Sequence, residues 1–188
     1  MLYRVTRVHP NASPREPGGA LHVPRTKQGR GRHDNPDLYG VLYASRSPIS
    51  AVAERIIRFR GATLEDADLR HPDGSFDALL AIDVERVAPI IDLDEPREMV
   101  RRGLRPSTVA TRARTPTQEL ARAIYEEGAP GFAWWSTIEA AWSNVTLFAE
   151  RAGTSVRMAV KPEALTVDHP AVAEAVEFTG VRVARASR

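Results

Sequence analysis

The stretch "GRHDNPDLYGVLYASRSPISAVAE", residues 31–54, decides how this chain folds. It passes from a polar, glycine-bearing loop into a short apolar run and then directly into a helix. Residues 39–45, "YGVLYAS", are apolar and bounded by turn formers, which predicts a short buried strand. A helix follows at once: Ser47 suits the cap and Pro48 the first helical position. Ile49, Val52, Ala53, Ile56 and Ile57 recur at helical spacing and form one apolar stripe. At about 100° per residue, Glu54 points away from that stripe.

On the N-terminal side, "LYRVTRV" (residues 2–8) reads as a first strand. Residues 9–36 hold Pro10, Pro14, Pro17, Gly18, Gly19, Pro24, Gly29 and Gly31. A breaker-rich loop of that length is usually functional or disordered. On the C-terminal side, "FDALLAIDV" and "APIIDLD" read as two strands around a turn at Arg86 and Val87. A helix over 95–102 stops near Gly103. In "TPTQELARAIYEEG", Thr115 reads as the cap, Pro116 as the first residue, Gln118 as the partner in a capping box and Gly128 as the stop. "GFAWWS" (residues 131–136) reads as a strand, and "SNVTLFAE" fits strand or helix. "TSVRMAVKP" is a strand, "HPAVAEAVEF" a helix and "GVRVARA" a last strand. Strands and helices mix without steady alternation, which predicts an α+β domain with a mixed or antiparallel sheet. The expectation is one domain over residues 1–188.

Composition narrows the chemistry. There is no cysteine, so disulfides, thiolate metal sites and a cysteine nucleophile are out. That usage fits a reducing cytoplasm. Net charge is only +2, less lopsided than a nonspecific nucleic-acid binder. The opening residues lack the apolar core of a signal peptide, and no apolar run approaches the ~18 residues of a membrane span. His9, His22, His33, His71 and His169 are not spaced as metal ligands, so no metal is expected. There is no P-loop, no dinucleotide glycine fingerprint and no GxSxG elbow.

What remains is a set of single residues, each with an ordinary reading beside a functional one. Arg32 is a solvated loop arginine, or a clamp whose guanidinium pairs with phosphate oxygens. Glu54 is a surface carboxylate paired with Arg58, or an anion at a cleft edge. Tyr43 is a core ring with a bonded hydroxyl, or a platform for a flat ligand. Trp134, Trp135 and Trp142 are core aromatics or pocket walls. Ser136 follows two tryptophans at a strand end, and a lone serine there is usually structural.

Their order along the chain carries more than any one of them. A Gly/Arg/Asn loop leads into "YGVLYAS" and the helix "AVAERI", and much later come "WWS" and "NVTLF". In this the chain resembles the RES domain family, most specifically over residues 31–54 and more weakly in "GFAWWSTIEAAWSNVTLF". The resemblance implies a fold similar to ADP-ribosyltransferases, with a mixed or antiparallel β core and flanking helices. It also implies NAD+ as substrate, with no further cofactor, and the role of toxin in a bacterial toxin–antitoxin pair. The family's arginine falls on Arg32, its strand tyrosine on Tyr43, its helix glutamate on Glu54 and its serine on Ser136. Arg32, Glu54 and Ser136 are thereby expected to be catalytic. Arg32, His33, Tyr43, Ser136 and Asn144 are expected to bind NAD+. His33 stands where the family often has a large aromatic, and Trp134–Trp135 stand where Tyr-Pro or similar is usual.

The implied chemistry breaks the bond between ribose and nicotinamide. Nicotinamide leaves neutral, through an oxocarbenium-like transition state. That calls for an anion at the ribose (Glu54), a cation at the diphosphate (Arg32) and a flat slot (Tyr43, with Trp134 or Trp135). Water as acceptor gives a glycohydrolase, inorganic phosphate a phosphorylase, and a protein side chain a mono-ADP-ribosyltransferase. The resemblance further implies a separate Xre-type antitoxin, through which alone nucleic acid would be met. A competing reading makes "RTKQGRGR" a basic nucleic-acid-binding module with stacking tryptophans, which predicts steeply salt-dependent binding.

Overall fold

The structure, a computed structural model, describes residues 1–184. Its strands are β1 (Leu2–Val8), β2 (Val41–Ser45), β3 (Thr63–Leu64), β4 (Phe76–Asp83), β5 (Ile91–Asp92), β6 (Gly131–Trp135), β7 (Ser143–Phe148), β8 (Arg157–Met158), β9 (Glu163–Ala164) and β10 (Arg182–Val183). Its helices are α1 (Pro48–Ile56), α2 (Pro96–Arg101), α3 (Pro106–Val109), α4 (Arg114–Glu126), α5 (Ala149–Ala152) and α6 (Pro170–Thr179). Most strand pairs are antiparallel, as expected for the α+β class; β5/β6 and β3/β10 are parallel.

The chain divides into two compact units: residues 1–22, 45–82 and 158 onward form the first, and residues 23–44 and 83–157 the second. In the first unit β1 runs antiparallel to β4 along its whole length, from Leu2 opposite Ile82 to Val8 opposite Phe76. Helix α1 packs against β1 and α6. Ser47 caps it as its sequence predicts, its hydroxyl accepting the Ile49 N–H at 3.2 Å. Val52, Ala53 and Ile56 are fully buried, and Glu54 is exposed on the other side.

In the second unit the strand order is β5-β6-β7-β2. Helix α4 packs on β6, and the core gathers Tyr39, Val41, Leu120, Ile124, Phe132 and Phe148. "SNVTLFAE" resolves into strand β7 followed by the single turn of α5.

Several elements differ from their sequence reading. Helix α4 starts at Arg114, so Thr115 lies inside its first turn and is not the cap. The entry is set by Thr111, whose hydroxyl accepts the Ala113 N–H at 3.1 Å. Gln118 forms no capping box; its side chain donates to the carbonyls of Gly29 and Gly31 at 3.2 and 3.0 Å. "APIIDLD" pairs only over β5, because the Asp92 carboxylate takes the Asp94 N–H at 3.0 Å and turns the chain. "TSVRMAVKP" pairs only over β8, ahead of Pro162, which has no N–H to donate. The last strand is confined to β10, and residues 185–188 lie outside the described part.

Candidate functional site

The loop before β2 is organised around Asp34, which is buried at 6% exposure. One carboxylate oxygen accepts the N–H groups of Gly29 at 2.8 Å and Gly31 at 2.6 Å. The other accepts the Tyr43 hydroxyl at 2.7 Å. A Cβ on residue 31 would stand 2.4 Å from that carboxylate, so only glycine fits. The "GRG" glycines therefore cradle an anion that the loop itself supplies. Their N–H groups are spent internally, and a ligand here meets side chains.

Tyr43 is tied down from both sides: its hydroxyl donates to Asp34 and accepts the His33 N–H at 2.9 Å. Burial and the neighbouring Asp34 charge push its hydroxyl well above the ordinary tyrosine range. Its oxygen is thus a fixed structural group, and its ring is what it can offer a ligand.

His33 is 1% exposed and sits within rings: 4.8 Å from Phe132, 5.0 Å from Trp134 and 6.1 Å from Tyr43 between centroids. The histidine thus fills an aromatic position. Its Nδ1 shares a 2.8 Å hydrogen bond with the Thr146 hydroxyl, which also accepts the Trp134 indole N–H at 3.1 Å. Burial, reinforced by Arg32 and Arg114, holds its pKa well below the usual histidine value. At neutral pH the ring is uncharged.

Arg32 brings a cation to these rings. Its guanidinium lies 4.9 Å from the centroid of the Trp134 ring, in cation–π range. Nη1 donates to the carbonyls of Thr111 and of Val109, the latter at 3.3 Å. The Arg32 carbonyl accepts the Thr117 hydroxyl at 2.5 Å, tying the loop to α4. Ser136 is buried just past β6; its N–H donates to the Trp142 carbonyl at 2.8 Å, and its hydroxyl accepts the Ile138 N–H at 3.1 Å. Asn144, buried on β7, pairs in register with Trp134. The second unit thus brings Arg32 and His33 against Trp134, with Tyr43 beside His33, and Trp134 pairs across the β6/β7 hairpin with Asn144. Ser136 lies at the end of that hairpin.

Glu54 belongs to the first unit, on α1, and that unit holds a residue the sequence reading passed over. Arg4, on β1, is half-buried, but its Nε and Nη1 are shut off from solvent and unpartnered among the described residues; Nη2 reaches the Thr6 hydroxyl at 3.3 Å. Burial alone lowers its pKa to about 10. A desolvated guanidinium short of acceptors is a ready site for an anion. The signal was present in "LYRVTRV": by the period of two, Arg4 shares a face with Leu2 and Val8, both buried. The same unit buries Asp77 completely, also unforeseen, beside Arg55 of α1.

Among the described residues, no group of three or more potential metal ligands gathers, and no helix is long and apolar enough to cross a membrane. No curated protein matches the chain. A chain in the crystal structure of the M. tuberculosis MbcT–MbcA toxin–antitoxin complex is similar to it, with a TM-score of 0.65 at 19% identity, covering 96% of this chain and 88% of that one. At that identity the likeness carries the fold. The model of the RES domain matches residues 1–169, and the chain belongs to the RES domain family.

Proposed function

We propose that the protein cleaves NAD+ at the bond between nicotinamide and ribose, acting in the cytoplasm as the toxin of a toxin–antitoxin pair. The observation that carries this reading is Arg4, a buried guanidinium with unmet donors, on the strand against which the Glu54 helix packs. A diphosphate is an anion whose oxygens match such donors. The Glu54 carboxylate supplies the negative charge that an oxocarbenium-like transition state needs. Within the second unit, Arg32, stacked on Trp134, offers a cation beside a flat aromatic wall. Tyr43 and His33 hold that wall in place, and Ser136 and Asn144 shape the hairpin end.

In the reaction the C1′–N bond breaks and its electron pair stays on the nicotinamide nitrogen, which becomes neutral. With water as acceptor, a C1′–O bond forms and the water proton leaves to solvent or to Glu54. With inorganic phosphate the product is the sugar 1-phosphate; with a protein side chain it is an ADP-ribosylated protein. The fold shared with a chain of a toxin–antitoxin complex supports a separate antitoxin as partner.

The test follows nicotinamide release from NAD+ with and without phosphate. Wild-type protein is expected to consume NAD+, and Glu54→Gln to lose about 100- to 1,000-fold in kcat, the scale of one preorganised charge. Wild-type protein that leaves NAD+ intact under both conditions refutes hydrolysis and phosphorolysis.

A further inference from the structure

Asp77 has no use in the chemistry above, yet it is a carboxylate held from several sides in the first unit. It sits on β4 with a side chain at 0% exposure. Arg55 grips it with two donors, Nε to one oxygen at 2.6 Å and Nη2 to the other at 2.5 Å. His71 Nε2 approaches the second oxygen at 3.3 Å, and Arg58 Nη2 lies 3.7 Å from the first. Two arginines and a histidine thus converge on one buried acid.

Arg55 follows Glu54 on α1. Helix α1 is also held by its Ser47 cap, by the buried Ser50, by packing on α6 and by an apolar stripe of Val52, Ala53 and Ile56. Apolar packing is non-directional and tolerates small rotations of a helix about its axis. A two-point guanidinium–carboxylate fork is directional. It ties α1 to β4, and β4 pairs with β1, where Arg4 lies opposite Leu80.

We infer that the Arg55–Asp77 fork is the positioning device that fixes the azimuth of α1 and so holds the Glu54 carboxylate in its working place relative to Arg4. This rests on the reading of Glu54 given above. Neither residue touches the substrate; both act through Glu54.

The test compares wild type, Arg55→Lys and Asp77→Asn in nicotinamide release, at a temperature where each shows the wild-type circular dichroism. Lysine keeps the charge and loses the fork. Both variants are expected to lose about 10- to 100-fold in kcat with KM little changed, as for a misplaced group that acts in the transition state. A folded Arg55→Lys with wild-type kcat overturns the inference, and so does a loss confined to KM. If Asp77→Asn fails to fold, Arg55→Lys decides alone. A second readout needs no activity: the carboxyl 13C resonance of Glu54, assigned by its absence in Glu54→Gln. Its displacement in Arg55→Lys supports the inference, and an unmoved resonance overturns it. Wild-type protein without activity refutes the NAD+ reading, and the resonance then decides the positioning claim by itself.

Discussion

Asp34 in the second unit and Arg4 in the first are both buried charges, and they are treated in opposite ways. Asp34 receives two backbone N–H groups and a tyrosine hydroxyl, all within 2.8 Å. Arg4 has two nitrogens with no partner among the described residues. A satisfied charge belongs to the architecture. A charge that burial has stripped of water without supplying acceptors costs stability, and that cost is tolerated where a ligand supplies what is missing. Arg32 lies between these cases: its guanidinium holds carbonyls of the 109–111 segment while stacking on Trp134.

Substitution of each residue would break or sharpen the contrast. The largest expected effect is Arg4→Met, which should lower NAD+ cleavage by about 100- to 1,000-fold. Its thermal midpoint should hold or rise, because an apolar replacement for a poorly compensated buried charge is often neutral or stabilising. A fall in stability with activity retained would make Arg4 architectural and erase the contrast. Asp34→Ala should do the reverse within its own unit. Losing one acceptor for three donors should cost about 3 kcal/mol, read from the urea midpoint. The smallest effect is in pH dependence. His33 takes a proton near 6.5 when unfolded but stays neutral well below that in the fold. The unfolded chain therefore binds more protons in that window, and stability falls as pH drops below 6.5. His33→Phe should remove up to about 1.4 kcal/mol per pH unit from that slope. An unchanged slope would mean that His33 does not titrate as its surroundings dictate.

How legible each of these was in the sequence follows from how local its cause is. Helix α1 was legible because a cap, a proline and an apolar stripe are contained in a dozen consecutive residues. The start of α4 was misread because Thr115 and Gln118 mimic a local capping box, while Gln118 is used across the unit by Gly29 and Gly31. The short strands read too long because pairing ends where a partner ends, and the partner lies elsewhere in the chain. Among candidate site residues, the order of features singles out Arg32, Tyr43, Glu54 and Ser136 through the family resemblance. Asp34 went unremarked because its acceptor role depends on a loop closing upon itself. Arg4 was overlooked because an arginine in an alternating strand is ordinarily counted on the wet face. Its parity with Leu2 and Val8 was visible all along.

One consequence of the Asp34 wiring concerns kinetics. A loop whose own carboxylate already closes it does not have to be ordered by an arriving molecule. Little of the contact energy at Arg32 and Trp134 is then spent on freezing backbone motion. Capture at this loop should proceed as a docking event, limited by diffusion and orientation and not by a preceding folding step.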